Sequence, residues 1–218
     1  MKMRYKKSED TRKLLLDTAE ALFAERGFFG VSVRDITEAA GVRNASINYH
    51  FDTKENLFMA VIERRIEPLA SARMALLEPI ELKPDDPAHT VRLIAEAFAG
   101  PMLSFAQTGG PGWKHYCILV AHLAVQKHWG ENAVSLKYDV HAKRFLKALE
   151  TTFPDCSRYR IHACFQFLLS TTLYAVCDNK RIDTLSDGTY RSEDIGRLEA
   201  PFFDFVTGGM LAVANGSE

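Results

Sequence analysis

The feature of this sequence that most constrains its fold is a series of short helical segments, closed by glycines, within its first fifty or so residues. In the first segment, apolar side chains recur at the spacing that lines one face of a helix, at Leu15, Ala19, Leu22 and Phe23. Gly27 then supplies a stop signal. These residues predict a first helix from about Glu9 to Arg26.

Two shorter helices, separated by a tight turn, are predicted to follow. Ser32 is well placed to cap the second helix, with Asp35 three residues further on, and Gly41 ends it. Gly41 tolerates the positive φ angle that such a turn requires, and Val42 can fill the gap between the two helices as a small core residue. The third helix is predicted at about residues 44–50.

The third predicted helix is unusually polar for its length. Ile47 is its single apolar anchor, and around it stand Arg43, Asn44, Ser46, Asn48, Tyr49 and His50. A helix this short gains little stability from propensity alone, so its polar side chains are free to serve a partner. The major groove of DNA is roughly 12 Å wide and admits one helix braced by a second. Residues 32–51 therefore predict a helix-turn-helix reader of DNA.

Helical patterns continue through the rest of the chain. Asp52 and Glu55 are predicted to cap a fourth helix that runs to about Leu77, with a bend at Pro68. Further helices are predicted at about residues 88–107, 114–127, 132–153, 159–178 and 192–214, and residues 179–191 are predicted to be a polar connector. We find no alternating strand pattern, so we predict an all-α protein with a three-helix N-terminal domain and a C-terminal helical bundle.

The charge of the chain is uneven rather than large. A formal net charge of −1 argues against indiscriminate binding of nucleic acid. Residues 1–13 nevertheless carry six Lys and Arg side chains against two acidic ones, and this basic arm either meets phosphates or is a solvated terminus. No apolar run approaches the roughly eighteen residues of a membrane span. No apolar signal-peptide core follows the basic start, so we expect a cytoplasmic protein.

Three strings of residues resemble one known family. They are LFAERGF at residues 22–28, SVRDITEAAGV at 32–42 and INYHFDTKENLF at 47–58, and together they resemble the DNA-binding domain of the TetR family of regulators. The resemblance covers about the first sixty residues. It implies a homodimer that binds operator DNA, with DNA-binding residues 1–53 and a ligand-binding and dimerisation domain at 54–218. It also implies repression that a small molecule relieves.

The resemblance assigns roles to several polar side chains. By position, Tyr49 and Lys54 are similar to the phosphate contacts of the family. The family often places an aromatic residue where Asn48 stands, so Asn48 either reaches a base edge or is solvated. Arg43 and Asn44 are further candidates for base contacts, Ser32 and Arg34 suit phosphates, and Ser46 and His50 complete the predicted DNA-binding set. Alternatively, Tyr49 and Phe51 serve only as core aromatics, and His50 is structural or faces solvent.

The C-terminal two-thirds lacks the sequence contexts of catalysis. No nucleophile elbow, zinc-binding helix or phosphate loop is found, so we predict no enzyme activity, no cofactor and no metal site. An apolar pocket between helices with a few polar groups is the expected form of a ligand site there. The candidates for its lining are Phe98, Met102, Trp113, His115, Tyr116, His122, Gln126 and Gln166. We expect a hydrophobic or amphipathic ligand, although core and pocket residues share one composition.

The last two long helices resemble the pair with which family members form a four-helix dimer interface. The residues predicted for that interface are Phe165, Leu168, Leu169, Thr172, Val176, Phe202, Phe205 and Gly209. Two other functions stay open from the sequence: a helix-turn-helix regulator controlled by a protein partner or by no ligand, and an enzyme with a vestigial N-terminal domain.

Overall fold

The computed structural model describes the backbone of residues 2–125 and 133–216, and the side chains of residues 8–125 and 136–216. Within these ranges the chain forms ten helices and no strand. The helices are α1 (Lys2–Arg26), α2 (Val33–Ala39), α3 (Ala45–Phe51), α4 (Lys54–Leu77), α5 (Pro87–Thr108), α6 (Pro111–Ala124), α7 (Ala133–Thr152), α8 (Arg158–Val176), α9 (Arg181–Leu185) and α10 (Ile195–Asn215). The all-α fold class is confirmed.

The helix boundaries differ from the predicted ones at a few informative places. The connector predicted at residues 179–191 contains a short helix, α9. The predicted cap of α4 was wrong: Thr53, not Asp52, accepts a hydrogen bond from the backbone amide of Asn56 at 3.1 Å. Asp52 instead ends α3, with a φ of 68°. The helix continues through Pro68. The predicted helix ends at Lys127 and Asn132 lie outside the described residues.

The first three helices and the start of α4 share one small core. α1 packs against α2 and α4, and α3 packs against α2 and α4. Phe23 of α1 is fully buried, and its ring meets that of Phe58 at 5.1 Å in an edge-to-face arrangement. Ile36 of α2 and Ile47 of α3 are also fully buried. One apolar residue from each helix therefore anchors the N-terminal unit, which leaves the polar faces of α2 and α3 outside.

The larger part of the core surrounds α5. This helix packs against α4, α6, α7, α8 and α10. Phe98 lies at its centre, with its ring centroid 5.1 Å from Phe145 of α7 and 5.1 Å from Phe165 of α8. In the described part of the chain no helix is long and apolar enough to cross a membrane.

A buried carboxylate joins the two regions. Glu20 of α1 is 1% exposed, and its Oε2 lies 2.7 Å from Arg64 Nη2 and 3.0 Å from Arg65 Nη2, both on α4. The Arg65 guanidinium also lies 4.9 Å from the ring centroid of Trp113 on α6. Trp113 in turn stacks on Phe105 of α5 at 4.1 Å. Arg65 therefore links α1, α4 and α6, and α6 also packs directly against α1.

Candidate nucleic-acid interface

The turn between α2 and α3 is closed by a glycine motif. Gly41 has a φ of 65°, where a side chain is strained. The Gly41 amide donates to the Glu38 carbonyl at 3.1 Å, and the Val42 amide donates to the Thr37 carbonyl at 3.0 Å. These are the two hydrogen bonds of a Schellman motif, which satisfies the last carbonyls of a helix. The turn therefore reverses the chain within two residues and sets α3 against α2, as the sequence predicted.

The start of α2 is fixed by a reciprocal cap. The Asp35 amide donates to Ser32 Oγ at 3.1 Å, while the Ser32 amide and hydroxyl donate to Asp35 Oδ2 at 2.7 and 2.6 Å. The predicted cap is thus confirmed. It also means that both donors of Ser32, its amide and its hydroxyl, are engaged by Asp35 within the protein.

This cap makes the stability of α2 depend on pH. The hydrogen bonds from the Ser32 side chain and backbone lower the pKa of the Asp35 carboxyl below 3.8. Because the folded pKa is lowered, this stabilisation is fully present above the unfolded value and is lost as the pH falls through the folded one. We expect Asp35→Asn to lower the stability of the protein at pH 7, and the difference from wild type to shrink below about pH 4. Urea unfolding at both pH values measures this.

A matched control is Glu38→Gln, a change at an exposed acid of the same helix that pairs with Arg34 at 2.6 Å. Exposed pairs of this kind contribute little. A stability difference for Asp35→Asn that is equally large at both pH values would contradict the role of the ionised cap.

The third helix has one buried and one exposed face. Ile47 is 0% and Phe51 7% exposed, whereas Tyr49 is 78% exposed. Asn48 is also exposed, beside Tyr49. The interpretation of Phe51 as a core aromatic is confirmed, and the same interpretation of Tyr49 was wrong. The face that α3 presents outward is therefore polar and aromatic over an apolar anchor.

Two predicted contact residues are partly engaged within the protein. The Thr37 hydroxyl makes a short contact with Asn44 Oδ1, which connects the start of α3 to the buried Thr37 side chain of α2. Arg34 Nε lies 2.6 Å from Glu38 Oε1, and this pairing raises the pKa of Arg34. Arg43 is exposed, and Ser46 is half-buried. Because the Asn44 side-chain oxygen is engaged by Thr37, its amide nitrogen is the group left to contact DNA.

Lys54 lies where the first turn of α4 meets the loop after α1. Its Nζ donates to the carbonyls of Phe28 and Val31 at 3.0 and 2.9 Å, and it lies 4.1 Å from the Phe28 ring centroid. An ammonium group has three donors, so one remains after these two bonds. The phosphate contact of Lys54 stays a prediction. The loop anchor is a role that sequence reasoning missed, because it joins residues more than twenty positions apart.

His50 is half-buried at the end of α3. Burial lowers the pKa of its imidazole below the usual 6.5, and the positive charge of Arg12 lowers it further. Its ring centroid lies 4.8 Å from that of Tyr49. At neutral pH the side chain is therefore an uncharged ring that supports Tyr49.

Four of the eight residues predicted to line a ligand pocket lie in the core. Tyr116 is 0%, Met102 2% and Phe98 3% exposed. Trp113 is also buried and His115 is half-buried, and these two share α6 with Tyr116. His122 and Gln166 are exposed, so the structure does not bring them to this cluster. Gln126 lies outside the described residues.

The residues predicted for a dimer interface divide into two groups. Leu168, Thr172, Val176 and Phe202 are buried within the single chain, so these four do not supply an outer surface, and the half-buried Phe165 packs on Phe98. Leu169 is half-buried. Phe205 is 72% exposed, and Gly209 is exposed beside it. The prediction was wrong for the buried residues because α8 is apolar on two faces, and helical spacing alone does not tell the inner face from the outer one.

Sequence reasoning missed two large outward side chains on α8. Phe167 is 57% and Tyr174 63% exposed, seven residues apart on one stripe of the helix. On α10 the exposed stripe holds Phe205 with Gly208 and Gly209. α8 and α10 pack against each other, and each exposed stripe carries large apolar side chains. We call the two exposed stripes together the α8–α10 face.

Comparison with known proteins matches both regions of the chain. Residues 15–61 match the family model described as bacterial regulatory proteins, tetR family. Residues 96–209 match the model described as tetracyclin repressor-like, C-terminal domain. The curated HTH-type transcriptional repressor KstR2 of Rhodococcus jostii (strain RHA1) is 43% identical over 58 residues, which are 27% of this chain and 28% of that protein's length.

Solved structures share the whole fold. KstR2 of Mycobacterium tuberculosis, a ketosteroid transcriptional regulator, aligns with a TM-score of 0.62 at 20% identity over 91% of this chain and 93% of its own. AibR, solved in complex with isovaleryl coenzyme A and operator DNA, aligns with a TM-score of 0.59 at 18% identity over 91% and 97%. At these identities the likeness establishes the fold alone.

Proposed function

The chain belongs to the TetR family of bacterial regulatory proteins, and from this membership we propose that it is a homodimeric repressor that a small ligand releases from operator DNA. One observation carries the DNA-binding part: α3 is a short helix with Asn48 and Tyr49 exposed over the buried Ile47, and a Schellman turn holds it against α2. A helix mounted in this way can enter the major groove while α2 braces it.

The roles of the DNA contacts follow from their positions. Asn48 has the two-sided amide that pairs with an adenine edge, and it stands on the exposed face of α3. Tyr49 and the remaining donor of Lys54 suit phosphate oxygens, and the exposed Arg43 is a further candidate for a base contact. Arg34, at the start of α2, suits a neighbouring phosphate, whereas both donors of Ser32 are engaged by Asp35. Phosphate contacts set position and affinity, and Asn48 supplies choice of sequence.

The homodimer is proposed to form through the α8–α10 face. Large exposed apolar side chains on two packed helices are typical of an interaction surface. Because Gly208 and Gly209 have no side chains, a facing helix can approach the backbone of α10 closely beside Phe205. A two-fold symmetric dimer formed through this face presents two copies of α3. An operator with two half-sites one helical turn apart requires two such helices.

Ligand release is proposed to act through the junction of α1, α4 and α6. Arg65 binds Glu20 of α1 with two hydrogen bonds, at 3.1 and 3.0 Å, and lies against Trp113 of α6. A ligand that moves α6 therefore acts on the helix that supports the DNA-binding unit. A shift from 1:99 to 99:1 between two dimer shapes needs roughly 5.5 kcal/mol of differential binding, so a weak ligand releases only part of the protein.

The names of similar proteins support this proposal in outline. KstR2 of Rhodococcus jostii is named a repressor, and AibR was solved with both operator DNA and isovaleryl coenzyme A. The apolar core around α5, where Phe98 and Met102 are buried, is the region proposed to receive an amphipathic organic ligand.

Selection of bound duplexes from a random-sequence library tests the DNA-binding proposal. We expect wild type to enrich a two-fold symmetric site and Asn48→Ala to enrich a site that has lost its preference at one base pair in each half. A good contact of this kind is worth about 1–3 kcal/mol of discrimination. Ser104→Ala, an exposed change on α5, serves as the control and should enrich the wild-type site. Enrichment of the same full site by Asn48→Ala would contradict the assignment.

A further inference from the structure

The C-terminal helical bundle has an arginine buried in its apolar core. Arg73 of α4 is 8% exposed. Its Nε donates to the Phe98 carbonyl at 2.7 Å, its guanidinium carbon lies 3.9 Å from the Phe98 ring centroid, and Nη2 lies 3.9 Å from Met102 Sδ. These contacts hold the guanidinium plane in one orientation.

No carboxylate in the described part of the chain neutralises this charge. The other arginines of α4, Arg64 and Arg65, both pair with Glu20, whereas Arg73 forms no ion pair with a described residue. Burial lowers the pKa of Arg73 to about 10, so the group is still protonated at neutral pH. A buried charge without a partner is strongly unfavourable, and an anion beside it would offset that penalty.

The guanidinium also has unused donors. Arginine carries five N–H groups, and the described contacts account for those of Nε and part of Nη2. Among the described side chains, the fully enclosed polar atoms without a hydrogen-bond partner are Arg64 Nε, Ser157 Oγ and Thr207 Oγ1. Nη1 of Arg73 is not one of them, although no described atom accepts from it. Nη1 of Arg73 therefore keeps a small accessible surface and has donors to spare.

The polar neighbours of Arg73 are neutral hydroxyl and thiol groups. Tyr116 of α6 and Tyr138 of α7 have their hydroxyl oxygens 2.6 Å apart. Burial raises the pKa of Tyr116 to about 12 and that of the Cys117 thiol to about 12, and it raises the pKa of Tyr138 well above 10. Because all three keep their protons, the described residues of this cluster supply donors and one positive charge, and none of them is negatively charged.

We propose that Arg73 binds the carboxylate of the effector, and that the effector is an organic monocarboxylate with an apolar body. This proposal rests on the ligand-sensing role proposed above. One guanidinium balances one negative charge, and its planar fork matches two carboxylate oxygens. A dianion would leave excess charge in an interior lined by Phe98 and Met102.

The position of Arg73 also explains how such a ligand is sensed. Arg65 and Arg73 are eight residues apart on α4, which places them on the same side of the helix about 12 Å from one another. On α6, Trp113 meets Arg65, while Tyr116 interacts electrostatically with Arg73. A carboxylate held by Arg73 thus lies between α4 and α5 and near α6, about two turns of α4 away from the Glu20 contact.

Calorimetric titration of the purified full chain tests the charge directly. The probes are octanoate and phenylacetate, each compared with its neutral amide, octanamide and phenylacetamide. We expect wild type to bind at least one carboxylate about 10- to 100-fold more tightly than its amide. Arg73→Met should bind acid and amide alike, and Arg73→Lys, which keeps the charge but loses the fork, should weaken the carboxylate about 10-fold. Arg144→Met, at an exposed arginine paired with Glu78, should behave as wild type.

The outcomes separate this proposal from the general one. Equal binding of acid and amide by wild type, no binding of either acid, or a preference for the acid that survives Arg73→Met overturns the role of Arg73. If Arg73→Met does not fold, the comparison of Arg73→Lys with wild type decides. Binding to the selected operator is measured separately without probes. If wild type does not bind the operator, the proposed repressor function is wrong, while a preference for the carboxylate over the amide would still support the role of Arg73.

Discussion

Phe205→Glu is expected to convert the protein from a dimer to a monomer at micromolar concentration. Phe205 is 72% exposed in the single chain and lies on the α8–α10 face beside Gly208 and Gly209. The change removes a large apolar contact and places two carboxylates near the two-fold axis, where they are desolvated and repel one another. Operator affinity should fall by about 100-fold or more, because two linked reading heads gain roughly 10²–10⁴ over one. Sedimentation and a DNA titration measure both effects.

The matched control is Val140→Glu, a change at a residue of α7 that is 65% exposed. It adds the same charge to an exposed apolar position away from the α8–α10 face and should leave the dimer and its operator affinity unchanged. A dimeric Phe205→Glu protein with wild-type affinity would show that the chain associates through another surface.

Glu20→Gln is expected to lower the free energy of unfolding by about 3 kcal/mol, the size typical of removing one partner from a buried charge pair. Glu20 is 1% exposed, and it faces both Arg64 and Arg65, whose side chains are 20% exposed. The amide keeps the shape of the carboxylate, but it leaves two guanidinium groups without the negative charge that balances them. Urea unfolding at one fixed protomer concentration measures the loss, since the stability of a dimer depends on concentration.

Glu25→Gln is the control for this change. Glu25 lies on the same helix and meets Arg26 at 3.7 Å, with both side chains about half exposed or more. An exposed pair of this kind contributes less than about 1 kcal/mol. Equal losses for Glu20→Gln and Glu25→Gln would mean that the buried junction of α1 and α4 is not a main source of stability.

The DNA-binding unit could be predicted from sequence because its signals are local. A capping pair at Ser32 and Asp35 and a left-handed glycine at position 41 each act within a few residues, and the structure has both. The apolar anchor Ile47 likewise indicates which side of α3 is buried. Short-range chemistry of this kind leaves few alternatives for the chain.

The C-terminal helical bundle was harder to predict because the contacts that define it join residues far apart in the sequence. α8 has apolar side chains on two faces, so helical periodicity could not decide that Leu168 lies inside and Phe167 outside. The burial of Arg73 has no local signal in the sequence, and only the packing of α5 and α6 around α4 shows it. Lys54 illustrates the same limit, since its hydrogen bonds to Phe28 and Val31 cannot be foreseen from residues nearby.

The central claim is that α3, with Asn48 and Tyr49 outward, lies in the major groove of duplex DNA. Its most direct test is the affinity of the wild-type dimer for its selected duplex, measured from about 50 to 200 mM salt beside a scrambled duplex of equal length. We expect the selected duplex to bind about 1,000-fold or more tightly, with an affinity that falls steeply as salt rises. Equal and salt-insensitive binding of the two duplexes would contradict the account.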